Sequence, residues 1–141
     1  MLDFLTPLHP KMVHFPIALF VAAVGFEVLS WITKKEVFHR TAWHLYVAAA
    51  LITPLVVRTG IWEVQRVKLN HPVLDVHKRF ALYAMWTSLM SIPALWVLRK
   101  EYGAYFRPVF VVLLIVVAAF IGITGHRGGE MVFGYGVGIE E

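Results

Sequence analysis

The sequence predicts an all-α membrane protein: a bundle of four transmembrane helices built from two repeated helical hairpins. Three observations carry that prediction. First, the 141 residues are 59% apolar and 14% aromatic but only 16% charged, with a mean hydropathy of +0.69, a composition foreign to soluble domains. Second, four apolar runs, Val13–Ile32, Thr41–Trp62, Phe80–Leu98 and Pro108–Gly125, each approach the ~20 residues that cross about 30 Å of hydrocarbon. Third, one phrase is written twice, as "HPKMVHFPIAL" at 9–19 and "HPVLDVHKRFAL" at 71–82.

Taken in order, the first span follows "MLDFLTPLHPKMVHFPIALF", which has neither the basic start nor the small-residue cleavage site of a secretory signal, so this helix is expected to be retained. "TKKEVFHR" (33–40) separates spans one and two, "EVQRVKLNHPVLDVHKR" (63–79) spans two and three, and "RKEYGAYFR" (99–107) spans three and four. The fourth span holds no ionisable side chain until His126. Four spans return the C-terminus to the side of the N-terminus, here called the N side, which also carries the middle loop. Outside the spans, Lys and Arg divide six against six between the two sides, so the positive-inside rule does not decide orientation. The compact basic loops on the far side favour a cytoplasmic far side with both termini on the opposite side of the membrane.

The net charge of +4 comes from residues in caps and loops rather than from a stripe, which reads as interfacial anchoring and not as nucleic-acid binding. The absence of cysteine excludes disulfides, thiolate metal sites and iron–sulfur clusters. Any cofactor must then be held by His, carboxylate or Met. No hydrolase triad or zinc-protease motif appears. The glycine-rich ending "HRGGEMVFGYGVGIEE" has neither the preceding strand nor the Lys-Ser/Thr of a phosphate loop, and reads as a re-entrant or interfacial flap (126–141) over the N-side end.

The repetition extends past the phrase. Span two ends "VRTGIWE" (57–63) and span four "GITGHRGGE" (122–130), each with Thr-Gly and a nearby Glu. The single domain, 1–141, therefore reads as hairpin repeats 9–63 and 71–130, related by a pseudo-twofold axis along the membrane normal. Such an axis sets His14 and His77 at one depth, and a matched pair of intramembrane histidines is what bis-histidine haem ligation needs. Below His14 at helical spacing come Ala18, Val21 and Gly25; below His77 come Ala81, Ala84 and Ser88. Small residues leave room for a porphyrin, although they equally serve close helix packing. Arg58, Lys78, Arg79 and Arg127 crowd the same interface and suit anionic propionates, with Arg58 the deepest; snorkelling at the headgroups is the plainer role.

The remaining candidates divide the readings. His126 and Glu63 are alternative ligands of a non-haem His/Glu site with His14 and His77, or simply polar helix ends. His9 and His71, each followed by Pro, are expected in extended backbone that starts the next helix. His44 sits one turn into span two with no partner in span four, and His39 is placed in the loop, so one haem b is expected rather than two. Glu27 reads as a local ion pair with Lys34 and Lys35, or as part of a proton path.

Together "HPKMVHFPIAL", "DVHKRFAL" and "GGEMVFGYGVGI" resemble the small prokaryotic four-helix membrane proteins grouped as domain of unknown function 2231. The resemblance covers nearly the whole chain. It implies a four-span inner-membrane protein whose role is largely unassigned, with suspected redox links such as rubredoxin-like attachments and haem binding. By that likeness His14 and His77 match the family's recurring histidines. The ending departs: relatives carry a His at the place of Tyr135 and an apolar or aromatic residue at the place of His126, which leaves open whether His126 took over a role. The expected function is thus a one-haem b-type cytochrome exchanging electrons between quinol and a partner protein. Its expected partners are the lipid bilayer, a quinone or redox subunit and further copies of the chain. The rival readings are an anchoring subunit of a larger membrane complex and the non-haem metal site. An enzymatic activity is not expected.

Overall fold

The computed structural model describes residues 8–67 and 71–136. A single turn, α1 (Leu8–Met12), leads into α2 (His14–Thr33). Then follow α3 (Glu36–Val67), α4 (Pro72–Glu101), α5 (Gly103–Gly129) and a closing π-helical turn, Glu130–Gly134. There is no strand among the described residues. Four of the helices are long and apolar enough to cross a membrane, and α2 packs along α3 as α4 packs along α5.

The helices outrun the apolar segments that announce them. α3 is 32 residues, about 48 Å at 1.5 Å per residue, well beyond ~30 Å of hydrocarbon. Polar residues at the run ends do not interrupt the i→i−4 bonds, so the expected loop at 33–40 shrinks to Lys34 and Lys35, and that at 99–107 to Tyr102. Lys34 closes α2 in the left-handed region (φ 59°), its N–H returning to the Ser30 carbonyl. Glu36 opens α3, where a carboxylate suits the helix dipole. α4 is capped by His71, held extended by Pro72, with its ring Nδ1 accepting from the Val73 N–H at 3.3 Å. His9, expected to behave likewise, instead lies inside α1.

Between the helices, approach is set by small side chains. Ala23, Ala42, Ala49, Ala50 and Ser88 are fully buried, around a few large groups, Phe20, Tyr46, Leu95 and Phe110. Outside, Val21, Val28, Leu51, Leu55, Met90, Val112 and Ile115 are exposed, an apolar coat that lipid covers. Trp31, Trp96, Tyr102 and Tyr105 stand exposed near the far-side helix ends, an aromatic belt at the headgroups.

One charge lies deep in this bundle. The Glu27 carboxylate, 4% exposed, accepts from His39 Nδ1 at 2.6 Å, Arg107 Nε at 3.0 Å and Trp31 Nε1 at 3.1 Å, while Arg107 Nη2 donates to Ser30 Oγ at 2.9 Å. Its partners are therefore His39 and Arg107, from α3 and α5, rather than Lys34 and Lys35. Removing one member of a buried network strands the others, at a cost of roughly 3–5 kcal/mol. Glu27→Ala is accordingly expected to lower resistance to SDS or heat unfolding in detergent by about that amount. Glu36→Ala, which breaks only the exposed 3.9 Å pair with Arg40, should cost about 0.5 kcal/mol or less.

Candidate functional site

At the N-side end the helices splay around a cavity of about 320 Å³, walled almost entirely by apolar side chains. Two histidines face it from different helices, His9 of α1 and His77 of α4.

His9 reaches α3 across the bundle. Its Nδ1 lies 3.1 Å from the Val56 carbonyl and 3.2 Å from Thr59 Oγ1, and the Thr59 hydroxyl itself donates to Val56 O at 2.7 Å. A carbonyl only accepts, so Nδ1 carries the proton, and in the neutral form of the ring the lone pair is on Nε2. Gly60 makes the approach possible: a Cβ there would sit 2.8 Å from His9 Cε1, closer than any side chain allows. His77 repeats the device on the other hairpin, with Nδ1 donating to the Thr124 carbonyl at 2.8 Å and the ring against Gly128, where an added Cβ would make ordinary contact at 3.4 Å. Neither Nε2 has a hydrogen-bond partner among the described residues. No buried side-chain nitrogen or oxygen there lacks one either, so each Nε2 opens into accessible space. Thr59 and Thr124 of the two Thr-Gly endings thus each meet an imidazole, while the glycine beside the ring is Gly60 in the first and Gly128, not Gly125, in the second.

The rest of the lining explains the shape. Pro16, Ile17 and Phe20 come from α2, Thr53 and Val56 from α3, and Ala81 and Ala84 from α4, the last two leaving room beside His77. Met131 and Val132 of the π-helical turn close one side. That turn is held by Arg127 Nη1 donating to Glu130 Oε2 at 2.7 Å, and Tyr135 packs its ring 4.3 Å from that of His71. The flap expected over 126–141 is therefore helical through Gly134, and 137–141 lie outside the described residues. Glu63 and Lys78 add the charged groups of the lining.

Several expected site residues stand elsewhere. His14 is exposed and does not line the cavity, so the structure makes the pair His9 and His77, not His14 and His77. The inward face of α2 is Pro16, Phe20, Ala23, Glu27 and Ser30, and His14, two residues from Pro16, is turned about 200° from it. Ala18 and Gly25 lie on the same outward side, and a Cβ on Gly25 would touch nothing within 4 Å. Ala81 and Ala84 do face the cavity. Arg58, Arg79 and His126 are exposed and outside the lining, and Arg127 is engaged by Glu130; Lys78 is the base that borders the space. Of the alternative ligand set, His77 and Glu63 line the cavity while His14 and His126 do not, and no group of three potential metal ligands is assembled among the described residues.

Sequence reasoning missed His9, His39 and Arg107. The close spacing of His9 to Pro10 reads as an extended entry, and His39 and Arg107 read as loop and anchor because each sits at the polar edge of an apolar run. His44, read in the sequence only as lacking a partner histidine in the fourth span, is exposed in the structure.

Side-chain ¹⁵N NMR of ligand-free protein at neutral pH checks this geometry. His9 and His77 are expected as the Nδ1–H tautomer with an unprotonated Nε2, and Gly60→Ala should abolish the His9 signature while leaving that of His77. Gly25→Ala should change neither.

Comparison with known proteins gives a family and nothing more specific. No curated protein and no solved structure matches the chain. A family described as "Predicted membrane protein (DUF2231)" matches residues 5–141, nearly the whole length, and the likeness read from the histidine phrases and the glycine-rich ending rests on the same residues. A chain with these four apolar helices and that match belongs to the DUF2231 family of membrane proteins.

Proposed function

We propose that this membrane protein is a one-haem b-type cytochrome, with His9 and His77 as the axial ligands in the N-side cavity, exchanging electrons between quinol and a partner protein. The observation that carries the reading is the pair of imidazoles from two hairpins facing one apolar space, each with Nδ1 bound to a carbonyl. An Nδ1–H bonded to an acceptor fixes the ring's orientation and raises the basicity of Nε2, the usual arrangement behind a metal-bound histidine. The donor set also suits the group. Two neutral nitrogen ligands without a third are what an iron already held by four porphyrin nitrogens requires, whereas a bare metal ion would need more protein ligands than the described residues gather.

The walls fit as well. A volume of about 320 Å³ falls at the lower end of the ~300–1,000 Å³ of cofactor pockets, and Ala81 and Ala84 present no bulk beside His77. Lys78 borders the space and would pair with a propionate, in the role expected of Arg58. When bound, haem with two imidazole ligands supplies a one-electron carrier. The chain's own residues hold the rings, keep water from the apolar walls and cover the opening with Met131 and Val132.

Reduced-minus-oxidised visible spectra of protein purified from haem-replete cells test the reading. A sharp b-type α band is expected in wild type, absent from His9→Ala and His77→Ala and retained in His14→Ala and His126→Ala. Protein that takes up no haem on reconstitution would end the reading in favour of an anchoring subunit.

A further inference from the structure

The stretch that follows α5 closes one side of the histidine cavity and is tied down at few points. Met131 and Val132 of the π-helical turn line the cavity, and Met131 is the one buried residue of that turn. Phe133 is 91% exposed and adds no packing that would hold the turn in place. The exposed members of the cavity lining are Pro10, Lys78 and Val132, which sets the turn at the rim, beside α1 and the first turns of α4.

The two ends of this stretch are built differently. At its root, α5 passes into the turn through Gly128 and Gly129. A Cβ on Gly128 would touch His77 at 3.4 Å, whereas one on Gly129 would meet nothing within 4 Å. Packing therefore does not require glycine at 129, and alanine would suit a helix better; what glycine supplies is backbone freedom at the joint. The turn itself is π-helical, a form found mostly as single turns at the service of functional sites. Arg127 and Glu130, three residues apart and paired at 2.7 Å, tie the turn to α5 and not to another helix. At the free end, the Tyr135 ring rests on that of His71, with centroids 4.3 Å apart. His71 is a fixed post, because its Nδ1 caps α4 by accepting from the Val73 N–H and so orients the ring independently of the turn.

We propose that residues 130–135 form a lid over the histidine cavity, hinged at Gly129 and latched by Tyr135 on His71, and that the cavity's occupant enters and leaves from the N side when the lid swings. Opening withdraws Met131 and Val132 from the wall and enlarges a space that measures about 320 Å³ with the lid shut. The lid does not depend on the haem reading: access to the cavity is measured by a labelling rate, and haem by a visible spectrum.

The chain has no cysteine, so one placed in the cavity reports alone. Ala84→Cys, at a buried lining position, is treated with a water-soluble maleimide in full-length protein in detergent, and labelling is followed by mass. Adding Tyr135→Ala should speed labelling roughly three- to tenfold, the worth of one aromatic pair. Tyr135→Phe, which keeps the ring, should leave the rate near its starting value. His71→Asn, which keeps a capping side chain but loses the ring, should match Tyr135→Ala, and the two together should exceed neither alone. Gly129→Ala should slow labelling. Ser88→Cys, fully buried one turn further along α4 and outside the lining, should resist the reagent in every background. Three results would each overturn the proposal. These are an unchanged rate in Tyr135→Ala or Gly129→Ala, additive effects of Tyr135→Ala and His71→Asn, or an equal acceleration at Ser88→Cys, the mark of general loosening.

Discussion

A carboxylate buried in a membrane bundle has to be answered from within the protein, and Glu27 is answered by three donors on three helices. That requirement fixes more than the carboxylate. His39 is drawn inward against the edges of Phe106 and Phe110, and Arg107 must fold back from the start of α5 to reach across to α2. α2 and α3 belong to one hairpin and α5 to the other, so the network is a clasp between hairpins at the far-side end. Its worth lies in specificity of arrangement more than in net energy, because desolvating the charges offsets much of their attraction.

With one end clasped, the other end is where the helices part. The cavity lies at the N side, where Pro16 in the first turn of α2 and Ala81 and Ala84 on α4 present little bulk. The polar groups at this end follow a different logic from those at the clasp. Glu27 accepts three hydrogen bonds from partners in the protein, whereas each cavity histidine engages only Nδ1 and leaves Nε2 to the open space. A satisfied network holds a fold together. A half-engaged imidazole is held in place on one side and leaves its other nitrogen to the open space.

The sequence disclosed the four spans and their hairpin connection because length and apolarity suffice for both. It also disclosed the Thr-Gly endings at Thr59 and Thr124, and His77 beside a run of small residues. What it concealed was rotation. His9 and His14 are five residues apart while His71 and His77 are six, so the two copies of the phrase are out of register by one residue, about 100° of helix. Matching the copies by eye pairs His14 with His77; placing the residues on helices turns His14 outward with Ala18 and Gly25. His39 and Arg107 were hidden for a different reason. Polar residues at the edge of an apolar run look like headgroup anchors, and only the packing of three helices shows that these two turn inward.

The middle of the bundle decides what kind of site the cavity is. Phe20 lines the cavity and also meets Tyr46 edge-on, with ring centroids 5.5 Å apart. Tyr46 in turn stacks with Trp43 and packs against Phe110, and its hydroxyl is held by Ser91 Oγ at 2.7 Å, which itself donates to the Ser88 carbonyl. Tyr46 and Phe110 are fully buried, so the floor below the histidines is a close-packed aromatic layer whose polar atoms are already engaged. A solute passing through the bundle would have to break that layer and its hydrogen bonds, at a cost no single ligand contact repays. The architecture therefore favours a cavity confined to the N side over a path through the bundle.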